Sequence, residues 1–117
     1  VCCTDGEWTI FKSPAGDAPL YAYSSLLSES LVVRGLEQPV ASGRFLPGVD
    51  YPQWQIPVRR EPLSREDFLF HRREDPGQTR NLWEAEPAQR ERMLGLVRDL
   101  IAAEGAPPEQ LLRLGLA

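Results

Sequence analysis

The sequence predicts an α+β fold, a small antiparallel sheet of about four strands packed against a C-terminal amphipathic helix. Three observations carry that reading. Short segments rich in β-branched and aromatic residues fill the first 24 positions and recur at 67–72. Asp5-Gly6, a strong tight-hairpin signal, separates the first two of them. An apolar series at three-and-four spacing runs from Met93 to Ile101.

Taken in order, Val1 to Thr4 and Glu7 to Lys12 form the two arms of the hairpin. Alternation puts Trp8, Ile10 and Lys12 on one face and Thr9 and Phe11 on the other. Ser13 to Pro19, with two prolines and a glycine, reads as a connecting loop. Leu20 to Ser24 reads as a third strand with Tyr21 and Tyr23 on one side. Leu26, Leu27, Leu31 and Val32 permit a short helix. From 39 to 63 the chain carries Pro39, Pro47, Pro52, Pro57 and Pro62, and proline blocks central strand pairing and helix interiors. This stretch reads as a long extended excursion whose Phe45, Leu46, Val49, Tyr51, Trp54, Ile56 and Val58 pack on something.

Asp67 to Arg72 alternates as a fourth strand, with Phe68 and Phe70 on one side and Leu69 and His71 on the other. Asp75-Pro76-Gly77 is a sharp turn. Pro87 to Glu104 is the main helix: Pro87 suits its first turn, Glu84 and Glu86 complement the positive dipole end, and Gly105 suits the stop. Its apolar face is Met93, Leu94, Val97, Leu100 and Ile101. After Pro107-Pro108 comes a second short helix, Glu109 to Leu114, within 108–114, with Leu111, Leu112 and Leu114 available to dock.

Composition excludes several function classes. At 117 residues, 42% hydrophobic and 26% charged, the chain suits one globular domain, not a disordered acidic tail or a membrane protein. It has no apolar run of about 18 residues to span a bilayer. A net charge of -4 with no basic stripe argues against nucleic acid. The start has neither a basic region nor a long apolar run, so it is not a signal peptide, and the missing initiator Met points to a chain cut from a longer protein. The expectation is a soluble protein, with the cytoplasm slightly favoured.

The residues offer little chemistry. Cys2 and Cys3 are adjacent, a spacing that strains a disulfide, and no further Cys completes a disulfide or zinc framework. His71 is the only histidine. Cys3 near it across a sheet would mimic a Cys–His dyad, but nothing local enforces that. No glycine-rich run precedes a helix to cradle phosphate. Glu66-Asp67 and Glu74-Asp75 sit at strand ends, where turn formation is the common role. Trp54, between Gln53 and Gln55, offers a flat apolar face with a polar edge, suited to a carbohydrate or aryl pocket or to a packed core.

The segment Leu69-Phe70-His71-Arg72-Arg73-Glu74-Asp75-Pro76-Gly77-Gln78-Thr79-Arg80-Asn81-Leu82 resembles the C-terminal signature of the sulfatase family. That signature is an apolar-aromatic strand, an acidic residue, Asp-Pro, a short polar stretch and Asn-Leu, followed by a long amphipathic helix. Thr4 to Lys12 is similar to the family's Thr-Asp-Gly-Arg-Trp-Lys-hydrophobic hairpin, and the tail from Ala106 to Leu116 to the ending of a bacterial sulfatase-like subgroup. His71 stands where the family's strand usually has Asp. Neither cysteine lies in the Cys-x-Pro/Ala-x-Arg motif that yields the family's formylglycine nucleophile, and its Asp-Asp and Asp-Asn/His metal ligands have no counterparts.

The resemblance therefore implies the smaller C-terminal subdomain of a sulfatase-like hydrolase, without catalytic or metal-binding residues of its own. The parent family supplies a divalent metal such as calcium, and the formylglycine, elsewhere. The implied partner is the N-terminal catalytic domain of the same protein. The 45–58 loop would contribute to substrate selection, with Tyr51, Trp54 and Gln55 as rim candidates and Lys12 and His71 behind them. The alternative is a free-standing interaction or homo-oligomerisation module using the helix face and the proline-rich loop.

Overall fold

A computed structural model describes residues 1–16, 20–25, 40–58 and 64–117. The elements are β1 (Cys2–Thr4), β2 (Trp8–Phe11), β3 (Tyr21–Ser24), β4 (Ala41–Gly43), β5 (Gln53–Pro57), β6 (Phe68–His71), α1 (Pro87–Ala103) and α2 (Glu109–Leu114). The fold is α+β. The short helix expected around Leu26 to Val32 lies outside the described residues.

The expectation of a single sheet of about four strands is corrected. There are two antiparallel three-stranded sheets, ordered β1-β2-β6 and β3-β5-β4. The hairpin and β6 pair as the sequence implies, with Cys3 opposite Ile10 and Ile10 opposite Leu69. The outer edge of β6 is then occupied. The Leu69 amide donates to Asn81 Oδ1 at 3.0 Å, and the Leu82 amide donates to the Leu69 carbonyl at 2.7 Å. The returning chain thus takes the place a fourth strand would need, and β3 pairs with β5 instead, Tyr23 opposite Gln55.

The reading of 39–63 as an excursion without strands is corrected too. Within its described part, β4 and β5 form two thirds of the second sheet, and β5 is the central strand. Prolines bracket β5 without interrupting it. Pro52 precedes its first residue, and Pro57 is its last, where the missing N–H costs least. The ladder resumes beyond Pro57, the Val58 amide donating to the Leu20 carbonyl at 2.8 Å.

The apolar core lies between the first sheet and α1. Ile10, Leu69 and Met93 have 0% exposure, and Cys3, Leu94, Val97 and Leu114 are buried with them. Leu100, expected on this face, is exposed. At about 100° per residue, Met93, Val97, Ile101 and Leu94 span one stripe and Leu100 falls at its margin. In α2, Leu114 is buried and Leu111 packs against the core, while Leu112 points outward. Both helices end in a Schellman arrangement: the Ala106 amide donates to the Ile101 carbonyl at 3.1 Å, and that of Leu116 to Leu111 at 2.9 Å.

Candidate functional site

The polar side chains of the first unit organise turns. Asp5 Oδ1 accepts from the amides of Glu7 and Trp8 at 2.9 and 2.7 Å, and its Oδ2 pairs with Arg92 of α1 at 2.6 Å. The Trp8 amide above all, then the Arg92 side chain and the Glu7 amide, hold its carboxyl down to about 2. Asp67 accepts from the Ser13 amide at 2.7 Å and pairs with Lys12 at 3.0 Å. Asp75 closes the turn after β6, accepting from the Thr79 and Arg80 amides at 2.7 and 2.8 Å. The Arg80 amide is the main cause that lowers its pKa. Asn81 accepts from the amides of Leu69 and Trp83 and donates to the Asp67 carbonyl.

His71 lies edge-on to Trp8, ring centroids 4.6 Å apart. Its Nδ1 accepts from the Glu74 amide at 3.2 Å, so the neutral ring carries its proton on Nε2, which faces Glu7 at 3.5 Å. Cys3 and His71 stand on β1 and β6, on either side of β2, and pair with Ile10 and Trp8 of it, so they lie two strand spacings across and two residues along, more than ~9.5 Å apart. That separation does not allow a thiol–imidazole hydrogen bond. Burial raises the Cys3 thiol pKa, the opposite of nucleophile activation. Lys12 is committed to Asp67 and to the Ser13 carbonyl.

The second sheet carries a cleft of about 310 Å³ lined by Tyr23, Ser24, Ser25, Leu46, Val49, Tyr51 and Gln53. Tyr51 stands at its rim, 56% exposed. Trp54 and Gln55 are half-buried in β5, project to opposite faces, and do not line it. The three rim candidates are therefore not brought together. Two unanticipated residues shape the cleft instead. Gln53, 3% exposed, accepts from the Phe45 and Leu46 amides at 2.9 and 3.3 Å and donates to the Tyr51 carbonyl, which fixes the 45–51 loop. Tyr23 donates its hydroxyl proton to Glu109 and packs its ring on Phe45, centroids 5.6 Å apart. Desolvation first, then Glu109, pushes the Tyr23 hydroxyl up to about 12, so it remains a donor at any ordinary pH. Alternation sets Gln53 and Gln55 on the face opposite Trp54, the one sequence signal that bears on Gln53; nothing local points to Glu109.

Among the described residues, no three His, Cys, Asp or Glu side chains converge as a metal would require, and no helix is long and apolar enough to cross a membrane. Comparison with family models, curated proteins and solved structures finds no match.

Proposed function

We propose that this chain is the non-catalytic C-terminal subdomain of a sulfatase-like sulfuric ester hydrolase, packing on the catalytic domain and shaping the substrate pocket. One observation carries the reading. The three segments that resemble the family, 4–12, 69–82 and 106–116, are far apart in sequence yet belong to one folded unit. The hairpin pairs with β6. Asp75 and Asn81 stitch the Asp-Pro…Asn-Leu return to the edge of β6. The tail buries Leu114 and Leu116 in the same core. The residues that spell the signature thus have structural work in a support, and none of them needs to touch substrate.

Among the described residues no donor cluster converges for a divalent metal, and neither cysteine stands in the motif that yields formylglycine. Both belong to the proposed catalytic domain. This subdomain contributes a pocket rim, with Tyr51 at the mouth of the cleft; Trp54 and Gln55 of β5 do not line it. The test is the reading frame that encodes Val1. A Cys-x-Pro/Ala-x-Arg motif upstream is expected, and a start codon directly before Val1 would overturn the reading.

The second reading, a free-standing interaction or oligomerisation module, is favoured by one feature. Phe11, 36% exposed, meets Phe70 edge-on on the sheet face away from α1, with Phe68 stacked beyond. Self-association of the chain, lost in Phe11→Ser, would support it.

A further inference from the structure

The apolar cluster beneath α1 contains no residue of β3, β4 or β5 among the described residues. Among the described residues, two contacts tie the second sheet to the elbow between α1 and α2. Gly105 ends α1 with a φ of 59°, and a Cβ there would meet the Pro47 ring at 3.1 Å, so the 45–51 loop rests on the elbow. Four residues on, Glu109 in the first turn of α2 takes the Tyr23 hydroxyl, which also accepts from Gln55 Nε2 at 3.1 Å. Both contacts reach the residues that build the cleft: Tyr23 is its wall, and the loop carrying Leu46 and Val49 is its far side.

We propose that Tyr23, Gln55 and Glu109 form a latch through which the α1–α2 elbow sets the position of β3 and the width of the cleft. Glu109 is then a positioning residue, acting on the cleft through Tyr23. The phenol is half-buried and its partner is a carboxylate, so the bond is charge-assisted and specific in direction. Releasing it loosens the second sheet while the core under α1 stays closed, because no described residue of β3, β4 or β5 belongs to that core.

The experiment is amide hydrogen exchange on Tyr23→Phe, Glu109→Ala, Glu109→Gln and the Tyr23→Phe/Glu109→Ala double variant, each first checked for an intact thermal transition. Tyr23→Phe and Glu109→Ala are each expected to speed exchange at Tyr21–Ser24 and Gln53–Gln55 about tenfold, the loss of one charge-assisted hydrogen bond. Rates at Thr9, Ile10 and Leu69 should stay unchanged. Glu109→Gln, which keeps an acceptor, should fall between, and the double variant should exchange no faster than either single one. Unchanged rates in the second sheet, equal acceleration in both sheets, or additive effects in the double variant would each overturn the latch.

Discussion

Under α1, the row Cys3–Ile10–Leu69 runs across three strands with almost no exposure. In the second sheet, the central strand buries Ile56 on one face and Gln53 on the other. The first unit is built on apolar area, worth about 25 cal/mol per Å² removed from water. Its charged side chains stitch turns around that area. The second unit is a short sheet whose loop hangs on the Gln53 carboxamide and whose β3 is tied to α2 by Tyr23. The contrast teaches a division of labour. A rigid slab suits a support, and a hydrogen-bonded layer with a cleft suits a rim that adapts to what it borders.

The contrast can be broken most forcefully at Leu69. Leu69→Ala is expected to cost about 2–5 kcal/mol in urea unfolding, because a wholly buried side chain leaves a cavity. If Ile56→Ala cost the same and unfolded the first sheet with it, the two units would be one. Asn81→Ala should cost about 1–3 kcal/mol, since the Leu69 and Trp83 amides lose their acceptor at a partly buried edge. Exchange at the Leu69 amide is the check, and an unchanged rate would remove the edge-clamp role.

Asp5 gives a smaller, pH-dependent term. Its carboxyl is held at about 2 in the folded chain against an ordinary 3.8. The stabilisation is present above pH ~4 and is lost as the pH falls toward 2. Allowing for solvent screening it amounts to about 1 kcal/mol, and Asp5→Asn should flatten that part of the acid-unfolding curve. Smallest in stability is Tyr51→Ala, expected within about 0.5 kcal/mol at an exposed rim position. In the sulfatase-like enzyme proposed above, it should lower kcat/KM for a bulky aryl sulfate more than for a small one. An equal effect on both would remove Tyr51 from the rim.

The hairpin, β6 and both helices were legible because their signals are local: Asp5-Gly6, the alternation of Phe68 to His71, and Pro87 and Gly105 at the ends of α1. Partner choice was not. Nothing within Leu20 to Ser24 says whether β3 joins the hairpin or β5, and the decision was made by Asn81 filling the edge of β6. Pro52 and Pro57 argued against strands between 39 and 63, yet they bound β5 at positions where a missing N–H is tolerated. Of the rim candidates in the proline-rich stretch, Tyr51 lines the cleft and Trp54 and Gln55 do not. Tyr23 and Glu109 were not legible, being 86 residues apart and joined only by the fold.

The central claim is that this polypeptide supports chemistry carried out elsewhere. The most direct measurement is turnover of an aryl sulfate by the purified chain with calcium present. The account expects no rate above buffer, and no change in Cys3→Ala or His71→Ala. Hydrolysis that disappears in either variant would contradict it.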